Sequence, residues 1–131
     1  MEIEILRYKK FDTKQWALAC CNLLEYLETL KEDFYEFQIQ RRIVNNAYLN
    51  TIYDTIVKGE PIPAITLEVK DRCFGPSAHQ LDGNSIEILD GLQRTFRLWT
   101  IYYIYKLVKK HSFASHTDLL SFIRSNSECA F

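Results

Sequence analysis

The sequence predicts a mixed α+β domain. Three stretches alternate or run apolar in the manner of strands, near residues 35–40, 64–69 and 85–90. Two others, 46–58 and 92–109, carry apolar residues at helical spacing. Glycine and proline punctuate the boundaries between them.

Taken in order, Glu2-Ile3-Glu4-Ile5 alternates polar and apolar residues, which predicts a first short strand. Asp12 or Thr13 then caps a helix to about Lys31, with Trp16, Cys20, Leu23, Leu27 and Leu30 as its stripe. Tyr35, Phe37 and Ile39 alternate with Glu36, Gln38 and Gln40 in a half-buried strand ending at Arg41-Arg42. Asn45 or Asn46 opens a helix that turns Leu49, Ile52 and Ile56 inward; Gly59 stops it, and Pro61 and Pro63 prevent its resumption. Ile65, Leu67 and Val69 share one face of the next strand. A polar loop from about Lys70 to Asn84 returns the chain to a strand at Ile86, so these two strands pair as a long hairpin. The helix after Asp90 is apolar nearly all round, with Lys106, Lys109 and Lys110 at its C-terminal end, where positive charge suits the dipole. Ser115 or Thr117 caps a last helix with Leu119, Leu120, Phe122 and Ile123 inward.

The chemistry gathers at one corner. Ile86 to Leu89 reads as a buried strand, Asp90-Gly91 as a turn, and Leu92, Phe96, Trp99 and Tyr103 as the start of a helical stripe. Backbone N–H groups at a helix N-terminus with Arg94 beside them suit a phosphate. Asp90 adds a carboxylate that could hold a metal ion or a water.

Asp90-Gly91-Leu92-Gln93-Arg94 resembles the Asp-Gly-Gln-Gln-Arg signature of GmrSD-type restriction proteins, whose N-terminal domain has the ParB/sulfiredoxin-like fold. Phe37-Gln38-Ile39-Gln40-Arg41 is similar to that family's Gln-Arg pair at the end of an early strand. Tyr48 to Val57 looks like the helix that follows it. Gly59-Glu60-Pro61-Ile62-Pro63-Ala64-Ile65 is similar to its Gly-x-x-Ile-Pro-x-Ile segment. The likeness covers residues 35 to about 105, and Leu92 stands where the family has its first Gln.

The resemblance implies a single ParB/sulfiredoxin-like domain over residues 1–131, with a small mixed sheet flanked by helices. Its motif-bearing core spans about 35–110, behind a strand–helix addition at 1–33. It also implies a nucleotide-dependent nuclease or nucleotide hydrolase of restriction and phage-defence type. Asp90 would then position magnesium, manganese or the attacking water, and Gln93 would orient that water or a phosphate oxygen. Gly91, Arg94 and Thr95, joined by Gln40 and Arg41, would hold the phosphates of a nucleoside triphosphate. Alternation along the strand puts Gln40 and Arg42 on one face and Arg41 on the other; the family pattern favours Arg41. The alternative is a non-catalytic nucleotide- or DNA-binding ParB-like switch, favoured by Leu92 and by the short chain. GmrSD-type proteins are longer, so a C-terminal domain or a second copy of the chain is an expected partner.

Length and composition set the outer limits. A chain of 131 residues suits one core, burying about two thirds of its extended surface. Its 47% apolar content argues against disorder. A formal net charge of −1 gives no overall electrostatic footprint for nucleic acid, though it leaves room for a local basic patch. Cys20, Cys21, Cys73 and Cys129 form no Cys-x-x-Cys pair, and no leader precedes them, so reduced thiols in the cytoplasm are expected. No stretch is apolar enough for a membrane span. His79, His111 and His116 lack zinc spacing, and sulfiredoxin chemistry would need a Cys where Leu92 and Gln93 stand.

Overall fold

The computed structural model describes residues 1–35, 49, 51–70, 74, 75 and 77–125. Its elements are β1 (Glu2–Phe11), β2 (Lys14–Cys21), α1 (Leu23–Thr29), α2 (Ile52–Lys58), β3 (Thr66–Val69), β4 (Ala78–Gln80), β5 (Ile86–Asp90), α3 (Leu92–His111) and α4 (His116–Ser125). The class is α+β. The described strands form two antiparallel sheets, one ordered β2-β1-β4 and the other β3-β5. The expected mixed sheet is therefore absent among the described residues, and the expected strand at 35–40 lies almost wholly outside them. The chain divides into two compact units, Met1–Trp99 and Thr100–Phe131.

The N-terminal region departs from expectation. Residues 14–21 are a strand, not the first half of a helix, and β1 runs to Phe11. Both periods fit this stretch: Trp16 and Cys20 are four apart, while Gln15, Ala17, Ala19 and Cys21 alternate. Pairing decides between them, because the two-residue turn at Asp12 and Thr13 lays β2 along β1 from Phe11↔Lys14 to Ile3↔Cys21. Asp12 takes the left-handed backbone there (φ 45), which short polar side chains tolerate. The helix that does form starts only at Asn22, whose Oδ1 accepts from the N–H groups of Leu24 (2.9 Å) and Glu25 (3.3 Å).

Within the first unit, β3 and β5 pair directly, Leu67 with Ile88 and Val69 with Ile86, as the sequence predicts. The link between them is not a plain loop. Ala78–Gln80 leaves it to pair with the edge of β1. Helix α2 ends at Gly59, which adopts φ 68; its N–H bonds Ile56 O, and the Glu60 N–H bonds Thr55 O. Asn45 and Asn46, the expected start of this helix, lie outside the described residues. Two apolar clusters hold the unit together. Ile3, Leu81 and Ile86 make one; Phe34, Ile88 and Leu92 make the other; Leu30 touches both. Phe34, Tyr35, Phe96 and Trp99 add rings with centroids 5.4–6.4 Å apart, which fixes the first turns of α3.

A polar pair crosses this core. Tyr26 Oη and Thr95 Oγ1 are 2.9 Å apart and both residues are buried. Burial pushes the Tyr26 phenol up to about 12; the Thr95 hydrogen bond opposes that rise and Cys21 adds to it. An unfolded tyrosine ionises near pH 10, while the folded one keeps its proton to about pH 12. This contribution is therefore complete below pH ~10 and is lost as pH rises toward ~12. Tyr26→Phe should cost about 1–2 kcal/mol at neutral pH, because Thr95 loses its partner. It should also flatten the fall in melting temperature between pH ~10 and ~11.5, which melting curves at stepped pH will measure.

In the second unit, Lys106 lies 5.2 Å over the Tyr102 ring and Lys109 lies 4.9 Å over Tyr105. Each cation covers the ring one turn back, as helical spacing allows. Ser115 caps α4 as expected: its Oγ accepts the Asp118 N–H (3.2 Å) and donates to Asp118 Oδ2 (2.8 Å). The rings of His111, Phe113 and Phe122 pack tilted against one another, with centroids 4.8–5.7 Å apart.

Candidate functional site

The strand–turn–helix corner forms where the sequence predicts it. β5 ends at Asp90, Gly91 turns the chain with φ 95, and α3 starts at Leu92. Glycine is required here. A Cβ at 91 would sit in a backbone region that L-residues rarely adopt, 3.0 Å from Ile65 Cγ1 and 3.2 Å from Arg94 Nη2. The Thr95 N–H closes the first turn on Gly91 O at 2.9 Å. The amides of Leu92 and Arg94 come before it, at positions that have no carbonyl one turn back within the helix.

Arg94 ties the corner together. Its Nη2 donates to the Ala64 carbonyl at 2.8 Å and reaches Asp90 Oδ2 at 3.4 Å. The pair is unequal: the Arg94 side chain is 25% exposed and that of Asp90 is 76%. A contact this long to a carboxylate this wet is weak. Arg94 Nε is buried and has no hydrogen-bond partner. The guanidinium thus links three segments, the approach to β3, the end of β5 and the start of α3, and leaves the buried Nε–H unpartnered. Gln93, beside it in sequence, is half-buried.

The other expected site residues separate. Leu92 is 4% exposed and packs with Phe34 and Ile88, so the position that resembles the family's first Gln is core in this chain. Thr95 cannot serve as a phosphate ligand as expected. It is fully buried, its hydroxyl is engaged with Tyr26 and its N–H with Gly91. Gln40 and Arg41 lie outside the described residues. The corner therefore brings together Asp90, Gly91, Gln93 and Arg94.

The donor set bears on the expected cation. No group of three or more His, Cys, Asp or Glu side chains gathers among the described residues. Asp90 offers one exposed carboxylate at the corner. Magnesium is commonly held by one or two carboxylates together with substrate phosphates and waters, and Asp90 fits that mode and no all-protein cage. Cys20 and Cys21 are free thiols. Burial and the neighbouring Cys20 and Glu25 push the Cys21 thiol up, which disfavours its reactive thiolate.

Sequence reasoning missed the Ala64 carbonyl. It belongs to the Pro63-Ala64-Ile65 segment, which the resemblance had singled out, but a backbone acceptor leaves no side-chain signal. No family profile, curated protein or solved structure matches this chain. Among the described residues no helix is long and apolar enough to cross a membrane.

Proposed function

We propose that the chain is a ParB/sulfiredoxin-like nucleotide-binding module that takes a nucleoside triphosphate with its divalent cation at the Asp90–Arg94 turn. Occupancy of that turn would alter contacts with a partner such as DNA, a further domain or a second copy of the chain. The observation that carries the reading is the loose Asp90–Arg94 pair, 3.4 Å long, with the carboxylate 76% exposed at the mouth of a helix N-terminus. The likeness of residues 90–94 to the Asp-Gly-Gln-Gln-Arg signature points the same way.

A divalent cation bound there would neutralise charge on the phosphates. Asp90 would turn its carboxylate to the cation and give up Arg94. Arg94 would then offer its fork to a phosphate oxygen, in line with the amides of the first turn. A buried unpaired donor costs about 1–3 kcal/mol. Arg94 Nε would gain a partner as the guanidinium swings outward, so cation and nucleotide would favour each other's binding.

Leu92 favours a switch over hydrolysis. Where the resembled family has a polar amide, this chain has a core leucine, and only Gln93 remains to orient a water. Hydrolysis or DNA cleavage is the second reading, and the exposed Asp90 carboxylate supports it as a holder of metal or water. Wild type and Asp90→Asn, with magnesium or manganese, separate the two. A switch gives nucleotide binding strengthened by the cation in wild type, loss of that strengthening in Asp90→Asn, and equally slow phosphate release from both. Cation-dependent phosphate release or DNA cleavage that Asp90→Asn abolishes would establish the hydrolase instead. No nucleotide binding by wild type would discard both.

A further inference from the structure

The β1–β2 hairpin carries a second candidate surface, unconnected with the turn at Asp90. Lys14 pairs with Phe11, Trp16 with Lys9, and Leu18 with Arg7. Directly opposed residues of an antiparallel pair share a side, as do alternate residues of a strand. Arg7, Lys9, Phe11, Lys14, Trp16 and Leu18 therefore line one face. Gln15, which pairs with Lys10, and Ala17, which pairs with Tyr8, belong to the other.

That other face is docked at Gln15 and Ala17, while Tyr8 and Lys10 stay exposed. Gln15 Nε2 donates to Phe74 O and Gln15 Oε1 accepts the Phe74 N–H, both at 2.5 Å, and Gln15 and Ala17 are half-buried. The first face is turned outward: Trp16 is 53% exposed, Phe11 52% and Leu18 46%. Arg7, Lys9 and Lys14 are exposed among them, and Lys9 Nζ lies 4.9 Å over the Phe11 ring. The stretch Arg7–Leu18 holds four cations, Arg7, Lys9, Lys10 and Lys14, against the single carboxylate of Asp12, in a chain whose formal net charge is −1.

We propose that this face binds single-stranded nucleic acid, with Trp16 as the platform for a base and Arg7, Lys9 and Lys14 as phosphate contacts. Cations interleaved with rings on one strip match a polymer that alternates negative charge with flat apolar faces. A duplex hides those base faces in its stack, which removes the part Trp16 would take. A lipid surface is better served by a continuous apolar face bordered by charge than by this cross-strand pairing of Lys9 with Trp16 and Lys14 with Phe11.

The test is fluorescence anisotropy with labelled dT and U oligomers of about 15 nucleotides. A duplex of equal length and vesicles with and without anionic lipid are the other arms. Single strands should bind, with a log affinity against log salt slope of about −2 from three phosphate contacts. Trp16→Ala should weaken binding about tenfold, and Trp16→Phe should restore most of it. Lys9→Glu combined with Lys14→Glu should reduce the salt slope to about −0.7. These changes fall on exposed positions, and melting curves check that each variant is folded. Preference for U would name RNA, and preference for dT would name DNA. Binding that Trp16→Ala leaves unchanged, tighter binding of duplex, binding of anionic vesicles alone, or no binding by wild type would each overturn the proposal.

Discussion

Leu92→Gln should destabilise the first compact unit by about 3 kcal/mol and lower its melting temperature by roughly 10 °C. The leucine is 4% exposed between Phe34 and Ile88. Exchange removes an apolar side chain whose burial is worth about 1.5–3 kcal/mol and sets an amide where no water reaches, at a further cost of about 1–3 kcal/mol. The substitution restores the letters of the Asp-Gly-Gln-Gln-Arg signature, yet it should not raise phosphate release. Thermal melting with a phosphate-release assay checks both halves. A variant that melts normally and hydrolyses faster would mean that residue 92 can face the cleft.

Arg94→Ala should weaken binding of nucleoside triphosphate and magnesium by tenfold or more, since hydrogen bonds from a guanidinium to an anion are worth about 1.5–3 kcal/mol. It should also cost about 1 kcal/mol of stability, because Ala64 O loses its donor. The two effects are separable. Arg94→Lys keeps the charge but not the fork, so it should recover only part of the affinity. Calorimetric titration with ATP, GTP and CTP, beside melting curves, gives both numbers. Equal affinities in wild type and Arg94→Ala would reduce Arg94 to the brace between Ala64 and Asp90.

What the sequence made legible was local. The strand at 86–90, the turn at Asp90-Gly91 and the long helix after it follow from a change of period at a single dipeptide. Gly59 announced its helix stop because only a left-handed residue fits there. Residues 14–21 were not legible, since Trp16 and Cys20 satisfy a helical period as well as a strand. Only β1, folded back across Asp12 and Thr13, decides the matter. β4 is three residues long and exists because the edge of β1 was there to receive it. At the candidate site, Asp90, Gly91 and Arg94 meet as their spacing suggested. Thr95 was misjudged because its partner, Tyr26, is 69 residues away, and a first-turn threonine looks the same whether it faces a ligand or a core. The direction of Leu92 was likewise a question of what packs against it.

If the Asp90–Arg94 turn receives the phosphates of a nucleotide, binding must perturb its backbone. The most direct test is titration of isotope-labelled protein with ATP and magnesium, followed through backbone amide shifts. The largest shifts should fall on the amides of Gly91, Leu92, Gln93 and Arg94, saturate together, and shrink in Asp90→Asn when magnesium is present. Saturable nucleotide binding that leaves residues 90–94 unmoved, or no binding at all, would contradict phosphate binding at the turn.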